Sequence, residues 1–247
     1  MKYLTPLLFS FTLVACGGGE HEGGSSAGVL TLTSATATAQ GYWSGSNAAG
    51  QNVLLAILDN GEVWGVYTSN KLPVGGLQGS VAYAGNTLSG VGYEFNTALS
   101  SVSRTSYTGS FVASSTISVT TTAGSVLTAK YDAGYDQSPS LANLAGTFTG
   151  GGVTGTGASP FSVITVSALG TITGTSAGCA LAGTAVARPS GKNSFDVSLA
   201  FSGSACALGN GTTANGFAYY DATARQLISM SLNGAKTDGF IYSGTKP

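Results

Sequence analysis

Charge is what this sequence has least of. Only 8% of its 247 residues are Asp, Glu, Lys or Arg, against roughly a quarter in an ordinary soluble domain. Nine Lys and Arg against ten Asp and Glu leave a net charge of −1, so no basic surface exists to hold nucleic acid or acidic lipid. There is one histidine, His21, in a glycine-rich stretch near the N-terminus. Ser-His-Asp and Cys-His arrangements and His-ligated zinc sites therefore lack their essential residue. Asp59 and Glu62 flank a turn with no second acidic pair behind them. They read as solvated hairpin-tip residues rather than as a carboxylate pair for glycoside cleavage. Asp132 and Asp136 lack the alternating oxygen ligands of a calcium loop. Lys71, Lys130 and Lys192 have no neighbour that would bring an amine into catalytic range. The chain reads as non-enzymatic, with no cofactor and no metal. Helical periodicity is also missing, and the N-terminal apolar run from Leu4 to Val14 is too short to cross a bilayer, which needs about 20 apolar residues.

With Lys2 ahead of it, that run makes residues 1–15 a short secretory signal. It ends in Leu13-Val14-Ala15-Cys16, which resembles the bacterial lipobox. The resemblance implies that Cys16 takes a diacylglyceryl thioether and becomes the mature N-terminus. With Gly17 rather than Asp behind the cysteine, it also implies sorting to the outer membrane of a Gram-negative bacterium. Residues 16–38 then form the lipid anchor and a Gly/Ser-rich tether (GGGEHEGGSSA from Gly17). A flexible tether of about 20 residues reaches some ~25 Å by coil statistics, and several acyl chains make the membrane attachment stable.

Three cysteines are an odd number for an exported protein until Cys16 is assigned to lipid. Cys179 and Cys206 remain, in a compartment where disulfides persist. A redox pair or a metal site fits poorly, since there is no Cys-x-x-Cys, no nearby histidine and no charged cluster to lower a thiol pKa. A structural bridge between Cys179 and Cys206 is expected.

What is abundant is glycine, 38 residues of it, punctuating short alternating segments. Eight strands are predicted in each half. In the first they fall near 41–45, 52–58, 62–68, 77–84, 87–95, 106–112, 116–121 and 125–131. In the second they fall near 144–150, 161–166, 170–174, 179–188, 194–201, 215–220, 225–232 and 236–243. The halves echo one another in order: GYWSG at Gly41 and GTFTG at Gly146, LQGSVAY at Leu77 and LAGTAVA at Leu181, TISVTT at Thr116 and LISMSL at Leu227. This pattern indicates an internal duplication.

Asn60-Gly61, Gly85-Asn86 and Asn233-Gly234 suit tight hairpins, so the expected fold is all-β. Two tandem antiparallel up-and-down eight-stranded small β-barrels follow the tether, over 39–131 and 144–247, with a linker at 132–143. Closure removes sheet edges that few charges are available to protect. Glycines within strands (Gly65, Gly79, Gly92, Gly183) permit the bending that a narrow barrel demands. A transmembrane barrel needs strands of about 9–11 residues with an apolar outer band, which these segments do not provide.

Gly41-Tyr42-Trp43 at the first strand is similar to the Gly-x-Trp start of lipocalin- and avidin-like barrels, where the Trp plugs one end. Gly146-Thr147-Phe148 departs from it by carrying Phe. Cys16-Gly-Gly-Gly, a tether and β-barrels together resemble the surface lipoproteins of Gram-negative bacteria related to transferrin-binding protein B and factor H-binding protein. The resemblance implies a membrane-anchored module that binds a host or environmental protein, and it supplies no binding residues, because the glycine-rich closing motif of those barrels is not recognisable. From alternation alone, one of Tyr42/Trp43 and one of Tyr219/Tyr220 faces outward. With Trp43 inside and Phe217 inside like Phe111, Tyr42 and Tyr220 are the outward pair and the candidate interface anchors. Three readings follow. The first is a surface module for a macromolecular ligand. The second is a periplasm-facing structural or small-ligand-carrying barrel. The third is an inhibitor of a host enzyme, since Ser89-Gly90-Val91-Gly92-Tyr93 is loosely similar to the Ser-Gly-x-x-Tyr loop of lysozyme inhibitors.

Overall fold

The computed structural model describes residues 38–96 and 101–247; the signal segment, Cys16 and the Gly/Ser stretch lie outside the described residues. The first half forms β1 (Gly41–Asn47), β2 (Asn52–Ile57), β3 (Glu62–Ser69), β4 (Leu72–Ala84), β5 (Thr87–Asn96), β6 (Ser101–Val112), β7 (Thr116–Thr121) and β8 (Val126–Asp132). The second forms β9 (Gly146–Val153), β10 (Ala158–Val166), β11 (Thr171–Ser176), β12 (Cys179–Ala187), β13 (Phe195–Ser202), β14 (Thr213–Asp221), β15 (Gln226–Asn233) and β16 (Gly239–Thr245). Each set is a closed antiparallel barrel in which sequential strands pair. The first closes through β1 and β8 (Tyr42↔Asp132 to Asn47↔Leu127), the second through β9 and β16 (Ile241↔Val153 to Thr245↔Thr149). Neither keeps a free edge.

Alternation decides which side chains fill each barrel. In β13 it is strict: Phe195, Val197, Leu199 and Phe201 are buried, while Asp196, Ser198, Ala200 and Ser202 face out. Trp43 is fully buried and its indole N–H donates to the Ala39 carbonyl at 2.8 Å, so it plugs barrel 1 as expected. Phe148 occupies the corresponding place in barrel 2, also fully buried. Gly41 and Gly146, two residues ahead of these plugs, both have positive φ (150° and 139°), so the duplication extends to backbone conformation. In barrel 1 the inward glycines make room for aromatics. A Cβ on Gly79 would meet the Tyr107 hydroxyl at 2.7 Å, and one on Gly90 would meet the Tyr107 ring at 2.2 Å. Tyr107 donates to the Ser80 carbonyl across this gap at 2.8 Å. These glycines therefore set space as well as curvature.

Several hairpins are tighter than expected: β6 begins at Ser101 rather than near 106, β9 ends at Val153 rather than near 150, and β10 begins at Ala158 rather than near 161. Strand β4 begins at Leu72 rather than near Leu77, because Asn70 and Lys71 both take positive φ (51° and 67°), as a tight type I′ hairpin turn requires. Between the barrels, Asp132 Oδ1 accepts from the Gly134 amide at the start of a single 3-10 turn, Ala133–Asp136. A four-residue helix, Leu141–Leu144, follows with Ser140 capping it.

Cys179 and Cys206 are joined, with Cα atoms 4.6 Å apart. Both lie in the core of barrel 2, where the bridge pins the β13–β14 loop to the start of β12. The bridge closes a separation of 27 residues, and removing such a link costs about 3–4 kcal/mol on the chain-entropy account. The double variant Cys179→Ala/Cys206→Ala should lose that much in chemical denaturation; a loss below about 1 kcal/mol would show that loop closure is not what the bridge contributes.

Candidate interaction surface at the junction of the barrels

Five consecutive residues of β2, Val53 to Ile57, are buried, although alternation should leave every second one exposed. Strands buried on both faces read as continuous apolar runs, and the second face here is the other barrel. Val53, Leu55 and Ile57 face the interior of barrel 1, while Leu54, Ala56 and Leu58 join Trp64 and Val66 on its outside. Against them pack Phe217 and Tyr219 of β14, Ile228, Met230 and Leu232 of β15, Ile241 of β16 and Val153 of β9. Approach is close: a Cβ on Gly76 would lie 2.8 Å from Met230 Sδ and 3.0 Å from Ile241 Cδ1. Tyr42 sits at the centre of an aromatic cluster, with ring centroids 4.8 Å from Tyr135, 4.2 Å from Tyr219 and 5.7 Å from Phe217. Trp64 stacks on Phe217 at 6.5 Å.

Polar groups frame this seam. The Tyr42 hydroxyl donates to the Asn193 carbonyl, and Gln40 Nε2 donates to the Tyr135 hydroxyl at 2.8 Å. Tyr219 donates to Asp132 Oδ2 at 3.0 Å, and Lys236 Nζ of barrel 2 donates to Gln78 Oε1 of barrel 1 at 3.1 Å. Arg188, with 11% of its side chain exposed, pairs with Asp196 of its own barrel and reaches Asp59 and Glu62 of the other at 3.6 and 3.7 Å. Those two carboxylates thus serve a cross-barrel ion pair rather than only solvating a hairpin tip. Lys192 meets Asp136 Oδ1 at 2.8 Å, and this ammonium, above the other contributions, holds the Asp136 carboxyl below the usual carboxylate range. Partly exposed pairs of this kind contribute at most about 1 kcal/mol each, whereas one buried aromatic contributes about 1.5–3 kcal/mol. The apolar seam therefore dominates.

The two tyrosines expected to be exposed anchors are both buried. Tyr42 does point out of barrel 1, but barrel 2 covers it completely. Tyr220 points into barrel 2, at 6% exposure, and Tyr219 and Phe217 face outward instead. The reason is that Phe217 packs into the seam and not into its own barrel, which inverts the facing of the whole strand. Neither tyrosine is available as a surface anchor. The Ser89–Tyr93 segment lies within β5, as the strand predicted over 87–95 implies, and so does not form the loop of a lysozyme inhibitor.

The broad grooves of this surface lie outside the barrels. The interior of barrel 2 retains 20 Å³, lined by side chains such as Leu144, Ile164 and Tyr242, about the space for one water. Where the walls diverge from the seam, a groove of 720 Å³ is lined by Lys71, Lys130, Asp132, Asp221 and Gln226 above an apolar floor of Leu54, Val66 and Ile228. Elsewhere along the junction, hollows of 610 and 720 Å³ share Glu62, Gln78 and Lys236. Alternation also missed Phe161, 87% exposed, and Leu72, 38% exposed. The only sequence sign of Phe161 is Pro160 beside it, which breaks the alternating pattern of β10.

No protein-family model and no curated protein matches the sequence. Among solved structures, a crystal structure of the vaccine antigen transferrin binding protein B from Haemophilus parasuis Hp5, as a tryptophan-to-alanine mutant, is similar at 6% identity and a TM-score of 0.30. The match covers 79% of this chain and 65% of that one, so this chain spans less than two thirds of its length.

Two outcomes follow from the seam. Phe217→Ala should cost about 3–5 kcal/mol in chemical denaturation and separate the unfolding of the two barrels; one unshifted transition would contradict a load carried by this contact. Burial also raises the phenol pKa of Tyr42, Tyr67, Tyr107, Tyr219 and Tyr242 above the ordinary value of 10.0. Below pH 10 these groups hold their protons folded or unfolded, and their contribution to stability is fully present. Above it the unfolded chain releases protons that the folded chain retains, so stability falls as pH rises. Tyrosinate absorbance should therefore appear together with loss of the β-sheet circular dichroism signal. Gradual ionisation with that signal intact would refute it.

Proposed function

We propose that this chain is an exported lipoprotein, anchored through Cys16 to the outer membrane of a Gram-negative bacterium, that binds a macromolecular ligand with the outer surface of two fused barrels and performs no chemistry of its own. The observation that carries this reading is where the space lies. A carrier needs an internal cavity, yet the interior of barrel 2 retains only 20 Å³, while the junction grooves offer up to 720 Å³ each on the outside. Eight-stranded barrels are usually filled by their own side chains, and Trp43, Tyr107 and Phe111 contribute that filling in barrel 1. A packed pair of barrels is a rigid platform, and rigidity lowers the entropic cost of presenting a binding surface.

The lipid anchor rests on Leu13-Val14-Ala15-Cys16 and the tether behind it. Support for a non-enzymatic role comes from a sequence with one histidine and 8% charged residues. Labelled palmitate should enter the parent chain and not Cys16→Ser, and protease added to intact cells should degrade the parent chain. Complete protection on intact cells would remove the surface reading in favour of a periplasm-facing lipoprotein, and no palmitate uptake would remove the anchor.

A further inference from the structure

We propose that the hollow beside the β15–β16 hairpin is a binding site for an uncharged saccharide chain, with N–H groups of Trp64, Gln78 and Arg188 as donors and the carboxylates of Glu62 and Asp196 as acceptors. This rests on the binding-module reading and deepens it by naming the class of ligand.

The site stands on hydrogen bonds that the folded chain leaves unmade. Among the described residues four buried side-chain polar atoms have no partner, and two of them, Trp64 Nε1 and Arg188 Nε, belong to residues that line the same 610 Å³ hollow. Gln78 lines it too. It is 6% exposed, and its Nε2 reaches only the carbonyl of the adjacent Gly79 at 3.4 Å, beyond the ordinary range of an N–H···O bond. Buried polar groups are nearly always paired, because leaving one unpaired costs more than a typical bond returns. Three unmet donors at one place call for an acceptor from outside the chain. The fold brings them together from both barrels: Trp64 and Gln78 are directly opposed in the β3–β4 register, while Arg188 follows β12 and reaches across to Asp59 and Glu62. A ligand enters where the Lys236 ammonium, on an exposed hairpin, now rests on Gln78 Oε1 at 3.1 Å.

The charges decide what kind of ligand fits. Two carboxylates, Glu62 and Asp196, and two cations, Arg188 and Lys236, line the hollow. Arg188 is already paired with both of those carboxylates and with Asp59. A carboxylate or phosphate ligand, an acceptor only, would be brought against Glu62 and Asp196, which keep 41% and 53% of their side chains exposed. An ammonium ligand has donors only and would leave the N–H groups unmet. A hydroxyl offers one donor and two acceptor lone pairs, so a polyol accepts from Trp64, Gln78 and Arg188 while donating to the open carboxylate oxygens. The exposed amide of Asn215, also on the wall, supplies both kinds of group. A peptide backbone carries both as well, but it docks on a sheet by adding to a free edge, and neither barrel has one. The site is longer than one sugar ring. A second hollow, of 720 Å³, shares Glu62, Gln78 and Lys236 with it. Trp64, Gln78 and Tyr93 oppose one another on successive strands, about 10 Å from end to end at ~4.8 Å per strand. Each hollow has the volume of a small-molecule site, and two in series suit a short saccharide chain.

The test applies the full chain, as Cys16→Ser so that no detergent is present, to an array of immobilised neutral, carboxylated and sulfated oligosaccharides. Neutral members should be captured. For a captured one in solution, affinity should fall about tenfold in Trp64→Phe and in Gln78→Met, the loss of one hydrogen bond in each. It should be unchanged in Leu169→Ser, an exposed turn residue outside the hollow. Tryptophan emission should change when the parent chain is saturated and stay constant in saturated Trp64→Phe, because the other tryptophan, Trp43, is sealed inside barrel 1. Circular dichroism checks that each variant folds; Gln78→Met nearly conserves volume and carries the test alone if Trp64→Phe does not fold. Capture of carboxylated or sulfated members alone, or affinity unchanged in either folded variant, would overturn the site. So would no capture at all, which would leave ordered water as the partner of the three donors. A chain that protease removes from intact cells but that captures no oligosaccharide keeps the surface-module reading and loses this site. Capture by a chain that intact cells protect keeps the site and loses the surface reading.

Discussion

Backbone hydrogen bonding with nowhere to end is the constraint on which this structure depends. A β protein must protect the unpaired N–H and C=O groups of its edge strands, and charged side chains are a common means of doing so. With 8% charged residues, this chain relies on closure, and both sheets pair their first strand with their last. Closure in turn dictates the interiors. Eight strands enclose little more than side chains, so Trp43 and Phe148 plug corresponding places, and inward glycines make way for Tyr107.

Closing each sheet leaves its outer wall, and there the two copies of the unit have diverged. The walls of β2 and β3 in one barrel and β14 to β16 in the other are apolar on the outside. Exposed separately, each would be a patch large enough to drive association. Facing one another, they make a third core, and the ion pairs of Arg188 and Lys192 lie at its margin. Most of the stabilisation comes from apolar burial, which is non-directional. Orientation is set by contacts that tolerate no displacement, such as Gly76 against Met230 and Ile241. The grooves follow from this arrangement, since two convex cylinders touching along a seam leave troughs beside it.

The tyrosines show where reading a sequence by alternation reaches its limit. A period of two fixes that neighbours in a strand face opposite sides; it carries no information about which side is the interior. For Tyr42 the side was right, but the solvent expected there is another barrel. For Tyr220 the side was inverted, because Phe217 belongs to the seam and not to its own barrel. The signal that would have identified the covered wall was present in Val53-Leu54-Leu55-Ala56-Ile57 and in Phe217-Ala218-Tyr219-Tyr220, runs too continuous for a strand with one wet face. Phe161 escaped notice for the opposite reason. It lies in the bulge between Ser159 and Ser162, and a bulge is a register event between two strands, visible in β9 and β10 together and in neither alone.

From its amino acids alone the chain was legible as sixteen short strands in two related sets, joined by glycine and asparagine turns and closed because little charge was available to shield an edge. The pairing of Cys179 with Cys206 was legible too, since only two thiols remained once Cys16 was set aside. These are consequences of local stereochemistry, composition and count, and they need no knowledge of what lies across space. Only the tertiary structure decided which outer walls are buried, which residues form the grooves, and which side chains stand free in solvent. Exposure belongs to a side chain together with everything packed around it, and here the deciding neighbour lies more than a hundred residues away, as the Tyr42 bond to Asn193 across 151 positions shows.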